Sequence, residues 1–444
     1  MDSGSEQRGE WQSSLGFILA AAGSAIGLGN IWRFPYQVGE NGGAAFVVIY
    51  LICIALICLP YLLGELALGR NSRRNPVGAI KAVAPDSIWI WIGALGVVTG
   101  LCILSYYAVI AGWTFGYIFK TVFGDATAFG DFISNGWLVI PLYALFILFT
   151  VYVVLGGIQH GIERWAKVLM PVLLVLMVFV IVRSVTLEGA GAGLEFYLSP
   201  DFSKISGEIV LAALGQAFFS LSLGMGTMLT YGSYLSKRDS ILSSGIYVAI
   251  FDTGIALMAG LMIFPAVFAV GADPSQGPAL IFVILPEIFA QIPMGTLLGA
   301  IFFLLLSIAA LTSTISLLEV PVAYFVDEKK WSRKKSVWVI AGMVFVLGLP
   351  SALSQGAVPA LGNVIGGNGF LDVMDMIWGQ ISLALGALLL SIFIGWIWGT
   401  DAAAEEIEQG SRGFGRMAPI WGFAIRYGCP VVIAIVLLYT VQTL

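Results

Sequence analysis

Charge is scarce in this chain: 11% of its 444 residues are Asp, Glu, Lys or Arg, where soluble domains carry about 25%. Hydrophobic residues make up 59%, and the mean hydropathy is +0.95. A soluble globular protein is thereby excluded. Histidine is scarcer still, with His160 alone in the sequence. It falls between two apolar runs with no second His or Cys nearby, and reads as an inner-loop residue. No HExxH, G-x-S-x-G or phosphate-cradling P-loop occurs, so the constellations of an enzyme are missing. The four cysteines, Cys53, Cys58, Cys102 and Cys429, all lie inside apolar runs. They read as small buried residues, leaving neither a disulfide framework nor a Cys/His metal cluster. No nucleic-acid partner is expected. The net charge of −5 carries little weight, because in a membrane protein the distribution of charge over loops matters more than its sum.

What is abundant is helix-length apolar sequence. Windows of about 20 apolar residues predict eleven spans, over residues 11–38, 42–70, 88–123, 137–155, 166–187, 209–235, 240–268, 294–326, 335–350, 372–398 and 419–440. Unbroken runs of this length exclude a membrane β-barrel, whose strands are short and alternating. An amphipathic stretch from Pro278 to Gln291 is expected to be a loop helix interrupted at Pro286 and Glu287. Leu19-Ala20-Ala21-Ala22 resembles a signal-peptidase site, yet Asp2, Glu6 and Glu10 outweigh Arg8 before it. A secretory leader should start net positive, so the first run reads as a retained helix. With the N-terminus inside, sixteen Lys and Arg fall on inner segments and only Lys120, Arg183 and Lys204 on outer ones. The positive-inside rule then predicts a cytoplasmic N-terminus and, with an odd number of spans, an external C-terminus. A multi-pass protein of the inner (plasma) membrane follows.

Two spans carry interruptions. The first holds Gly23, Gly27, Gly29, Asn30, Arg33 and Pro35; the sixth holds Gly215 and then Ser220-Leu221-Ser222-Leu223-Gly224-Met225-Gly226. Each helix-interior glycine costs about 1 kcal/mol relative to alanine. Close helix packing through small residues is one explanation. The other is a broken helix whose free backbone groups line a cavity at the membrane midplane. First and sixth are matching places in two five-helix halves, which favours the second explanation.

Ionisable residues inside spans are expensive and so are candidates for function: Arg33, Glu65, Asp252, Glu319, Asp372 and Asp375. Glu65 and Glu319, near inner span ends, are expected to partner backbone groups. Asp252 stands alone in the seventh span. Arg33 and Asp375 are placed to pair across a cavity mouth. Thr312-Ser313-Thr314 and Ser316 either bond back to their own helix or supply oxygen ligands to a hard cation; the residues alone leave both open.

At this point a resemblance is visible. Gly23-Ser24-Ala25-Ile26-Gly27-Leu28-Gly29-Asn30-Ile31-Trp32-Arg33-Phe34-Pro35 and Glu40-Asn41-Gly42-Gly43 resemble the first-helix signature of the neurotransmitter:sodium symporters. Gly161-Ile162-Glu163-Arg164, Gly215-Gln216-Ala217-Phe218-Phe219, Ser222-Leu223-Gly224 and Leu311-Thr312-Ser313 extend it over nearly the whole chain. Within that family the chain resembles the bacterial leucine and hydrophobic-amino-acid transporters. The resemblance implies an all-α polytopic membrane fold of inverted five-helix repeats with broken first and sixth helices. One transporter domain, 1–444, would hold repeats over about 11–187 and 209–398 and an extra helix over 419–440. Many members have a twelfth span; some bacterial ones stop at eleven.

Matched position by position, the resemblance implies two sodium sites. The first takes the Ala25 carbonyl, Asn30, Ser220, Asp252 and the substrate carboxylate. The second takes the carbonyls of Gly23, Ile26 and Ala309 with Thr312 and Ser313. Leu28 and Gly29 amides face the substrate carboxylate, with Tyr107 donating to it. The substrate amine meets Ala25, Phe219, Ser220 and Ser222, and Ser24 and Ser313 complete the polar floor. Ile103, Phe219, Met225, Ser316 and Leu317 form the walls. Phe219 lids the site, Arg33 and Asp375 form the outer gate, and Arg8, Trp11, Tyr234 and Asp327 the inner one. Aminergic members carry an aspartate where this chain has Gly27, so the substrate should bring its own carboxylate. The implied function is sodium-coupled import of neutral, hydrophobic L-amino acids by alternating access, in contact with membrane lipid and in an oligomeric state left open. A sodium-responsive amino-acid sensor or channel is the alternative. Chloride independence rests on Asp252, which stands where many relatives have asparagine. The family's anion pocket corresponds to Tyr50, Gln216, Ser220 and Ala256. A carboxylate at Asp252 both ligates sodium and balances its charge, and a proton taking the cation's place on the return step implies proton antiport.

Overall fold

The computed structural model describes residues 9–125, 127–275 and 280–443. These residues are helical and contain no strand, only an isolated bridge between Ile365 and Asn368. In chain order the helices are α1 Ser14–Ala25, α2 Gly29–Glu40, α3 Ala44–Ser72, α4 Pro76–Val83, α5 Ile90–Val122, α6 Phe129–Ser134, α7 Gly136–Leu155, α8 Gly157–Val185 and α9 Ala190–Leu198. They continue as α10 Gly207–Ser220, α11 Thr227–Gly232, α12 Ile241–Ala269, α13 Leu280–Gln291, α14 Gly295–Lys329, α15 Arg333–Leu353, α16 Phe370–Glu408 and α17 Ala418–Gln442. Among the described residues, nine helices are long and apolar enough to cross a membrane, and the bent pair α1–α2 makes a tenth. The expected sixth span exists as α10 and α11. Neither piece is long enough alone, because the chain between them is unwound.

Both interruptions follow from local chemistry. α1 stops at Ala25, where Ile26 turns extended (φ −69°, ψ 108°), and α2 leaves at 53° to it. Between α10 and α11, Ser222, Gly224 and Gly226 have φ of 53°, 82° and 77°. Left-handed backbone at alternate positions cannot continue a right-handed helix. Only glycine fits at 224, where a Cβ would also meet the Leu383 carbonyl at 2.6 Å. Glu65 of α3 accepts the freed Gly224 amide at 3.1 Å, the backbone role expected of it.

Burial separates core from lipid-facing helices. In their most apolar stretches α14 and α5 are 83% and 78% buried, and α17 only 28%. α5 and α14 pack against each other more extensively than any other pair, and α7 and α15 each pack against both. Three expectations need correction. His160 lies in a π-helical turn, Gly157–Glu163, at the start of α8 rather than in a loop. Glu319 partners side chains instead of backbone: it pairs with Arg333 and accepts the Tyr234 hydroxyl at 2.7 Å. Pro286 does not break α13: a π-helical turn, Leu280–Ile284, runs directly into the α-helical Leu285–Gln291, with Pro286 in the first turn of the latter.

Candidate ion and substrate site at the helix breaks

The two breaks face each other, and oxygens gather in two clusters around them. In the first, the Asn30 side-chain amide donates to Ser220 Oγ (2.9 Å), the Asp252 carbonyl (3.0 Å) and Asp252 Oδ1 (2.7 Å). Ser220 Oγ donates to Asp252 Oδ2 at 2.8 Å and receives the Tyr50 hydroxyl at 3.2 Å. Asn30, Ser220 and Asp252 are each fully buried. In this orientation Asn30 Oδ1 accepts from the Gly27 amide at 3.1 Å, so its NH2 group stands where three oxygens converge. Gln216 neighbours this cluster: its Nε2 donates to the Gly29 carbonyl at 2.8 Å, while its Oε1 is buried without a hydrogen-bond partner among the described residues.

In the second cluster Thr312 Oγ1 donates to Ala309 O at 2.9 Å and lies 3.4 Å from Ile26 O. Ser313 Oγ lies 3.2 Å from Ser24 O and 3.4 Å from both Ile26 O and Ala309 O. Gly23 lies against them, its Cβ position 3.4 Å from Thr312 Cβ. These two hydroxyls bond back along α14 and at the same time reach the broken end of α1.

Between the clusters lies a chamber of about 30 Å³. It is lined by Ser24, Ala25, Gly29, Ile103, Tyr107, Phe219, Ser222, Met225, Ser313 and Leu317, ten of the thirteen expected substrate contacts, and by Gly27. The other three stand close by. Leu28 presents its amide to the Tyr107 oxygen at 3.0 Å, Ser220 belongs to the first cluster, and Ser316 stands behind Ser24 at 2.7 Å. Ser222 Oγ donates to Ser24 O at 3.1 Å, tying the two breaks together. A side chain at 27 would collide with Ser313 Oγ (2.5 Å) and Tyr107 OH (2.7 Å). The space beside Gly27 is therefore filled by hydroxyls rather than left open.

Next to this chamber is a cavity of about 510 Å³, with Phe219 and Tyr107 shared between the two linings. Arg33 and Asp375 both line it but do not pair directly, which corrects the expectation. Asp375 accepts Tyr106 OH at 2.9 Å and Gln380 Nε2 at 3.0 Å, and the Arg33 guanidinium lies 4.6 Å over the Phe219 ring. Asp372 caps its own helix start by accepting the Gly369 amide.

The described residues expected at the inner gate make close contacts. Trp11 is buried, donates to Tyr231 O at 3.0 Å, and packs edge-on against Phe17, Tyr231 and Tyr234. Asp327 accepts the Asn75 amide at 2.9 Å; Arg8 lies outside the described residues. Sequence reasoning gave no role to Glu163, which receives Gln12 N (2.8 Å), Ser13 Oγ (3.1 Å) and Lys167 (2.7 Å). Gly16 makes room for it, since a Cβ there would fall 2.0 Å from its carboxylate. Tyr106 and Arg333 were missed likewise; nothing in their local sequence marks them.

Broken helices around buried oxygen clusters, with a cavity on one side and packed aromatics on the other, suit a membrane carrier. A family model described as the sodium:neurotransmitter symporter family matches residues 8–128 and 130–444, and the chain belongs to that family. An uncharacterised sodium-dependent transporter, YhdH of Bacillus subtilis (strain 168), is 40% identical over 97% of each chain. One from Haemophilus influenzae is 35% identical over 98% of this chain and 99% of its own. Among solved structures, MhsT in complex with L-phenylalanine matches with a TM-score of 0.88 and 46% identity, over 98% of this chain and all of that one. The protein is a multi-pass membrane protein and a sodium-coupled transporter, not an enzyme.

Proposed function

We propose that this transporter is a symporter that imports neutral, hydrophobic L-α-amino acids with sodium. The observation that carries the reading is the chamber at Gly27. Its hydroxyls and the Leu28 amide are donors suited to a carboxylate at a helix end, and a Cβ at 27 would collide with them. No aspartate is available there for a bare amine. The apolar walls, Ile103, Phe219, Met225 and Leu317, suit an aliphatic or aromatic side chain, and Met225 adapts its shape to either. The solved relative with L-phenylalanine supports the class.

In this reading Asn30, Ser220, Asp252 and the Ala25 carbonyl hold one sodium, and Gly23, Ile26, Ala309, Thr312 and Ser313 the other. Each sodium moving inward gains about 2.3 kcal/mol per 100 mV of membrane potential. Transport needs no chloride, because the Asp252 carboxylate supplies the negative counterpart that a buried cation requires, and a proton replaces sodium there on the return. The chain is one domain of two inverted five-helix repeats, 11–187 and 209–398, plus a helix over 419–440. That makes eleven spans in the plasma membrane, with the N-terminus cytoplasmic and the C-terminus outside. Arg33 and Asp375 gate the outside; Arg8, Trp11, Tyr234 and Asp327 gate the inside.

Uptake into proteoliposomes under an imposed sodium gradient tests this. Leucine or phenylalanine should accumulate, and gluconate in place of chloride should change nothing. Absence of accumulation returns the sensor or channel reading; collapse in gluconate overturns chloride independence. Labelling of cysteines at positions 2 and 443 from the same side would refute the topology.

A further inference from the structure

The last span carries a cation that the transport site does not use. Arg426 lies eight residues into α17, about 12 Å along the helix, half-buried on a span whose most apolar stretch is only 28% buried. α16 and α17 both relax into π-helical turns where they meet, at Phe393–Gly399 and Ala424–Gly428. The backbones nearly touch: a Cβ at Gly395 would fall 2.9 Å from Arg426 Cα. Arg426 Nε donates to the Gly395 carbonyl at 2.9 Å, and Trp396 Nε1 donates back to the Arg426 carbonyl at 3.1 Å. The guanidinium carbon lies 5.3 Å over the Trp396 ring. Thus one edge of the guanidinium is held. No carboxylate of the described residues lies within 4.0 Å of it, and its terminal amino groups make no hydrogen bond to them.

Around it is an exposed aromatic frame of Trp396, Phe423 and Tyr427, with ring centroids 5.5 Å apart from Trp396 to Tyr427 and from Phe423 to Tyr427. A cation facing lipid without a counter-anion is costly. Side chains on a helix lean toward its N-terminus, here toward exposed Arg412 and Arg416 on the preceding loop. Long cationic side chains reach the headgroup level in this way, and aromatic frames are enriched there. We propose that Arg426, framed by Trp396, Phe423 and Tyr427, binds the phosphodiester of an anionic phospholipid in the leaflet facing Arg412 and Arg416. The two terminal amino groups match the paired oxygens of a phosphate. The site clamps the lipid at the α16–α17 seam.

Native mass spectrometry of the full-length protein tests it, with phosphatidylglycerol or phosphatidylcholine of matched chains titrated in. The wild type should retain one phosphatidylglycerol at a concentration at least fivefold below that needed for phosphatidylcholine. R426Q should bind the two alike while keeping the sodium- and amino-acid-dependent thermal shift of the wild type. Millimolar inorganic phosphate should not displace the lipid; displacement would mean a soluble-anion site instead. Absence of any wild-type preference, which needs no variant to fold, overturns the proposal. So does full preference retained in R426Q.

Discussion

The outer and inner halves of the broken-helix core are built from similar parts and yet differ. Outside, aromatic residues and the charged pair Arg33 and Asp375 surround a cavity of about 510 Å³, each charge held by a different neighbour. Inside, Trp11 fills its space, and the start of α1 is fastened by Glu163 and by Asp239, which receives Ser14 Oγ at 2.7 Å. Glu10 pairs with Arg73 on the same side. The difference teaches that closure depends less on the presence of charges than on whether an apolar side chain excludes water around them. Burial strengthens the Trp11–Tyr231 contact it covers, whereas the Ser14–Asp239 and Glu10–Arg73 contacts beside it are exposed. The cavity thus opens on the side of Arg33 and Asp375, while the side of Trp11 is packed.

The largest effect should come from the oxygens shared by both halves. Thr312→Ala with Ser313→Ala removes two hydroxyls that join α14 to the end of α1, and sodium-driven uptake should fall to background. Next, Gly27→Asp should abolish amino-acid-dependent thermal stabilisation, because its Cβ would meet Ser313 Oγ at 2.5 Å and Tyr107 OH at 2.7 Å. Retained stabilisation would mean that the chamber rearranges freely. Trp11→Ala strikes the inner half alone. Large aromatic-to-alanine changes in packed sites cost about 3–5 kcal/mol. A cysteine placed at Ser24 should then label from the inner side, whereas in the Trp11 background it should stay protected. The smallest effect is expected outside. Tyr106→Phe removes one hydrogen bond to Asp375, worth about 1 kcal/mol, and should alter apparent substrate affinity about fivefold with maximal uptake preserved. An effect larger than that of Trp11→Ala would reverse the comparison between the halves.

Periodicity and length alone predicted the helical class and most span positions. This is because each lipid-crossing helix must satisfy its own backbone within one apolar stretch. The breaks were legible for the same local reason: glycines and a proline where a helix should run on. Asp252, Thr312 and Ser313 stood out because costly intramembrane polar residues are few, whereas the remaining oxygens of both clusters were named only through the family resemblance. What only the tertiary structure decided are pairings between distant segments. Glu319 binds Arg333 and Tyr234, Asp375 binds Tyr106 rather than Arg33, and Glu163 holds the start of α1. Each depends on the angle at which helices cross, set by the packing of many side chains at once. No window of the chain carries that information. A carboxylate's cost of burial is written in the sequence; the group that relieves it is chosen by the fold.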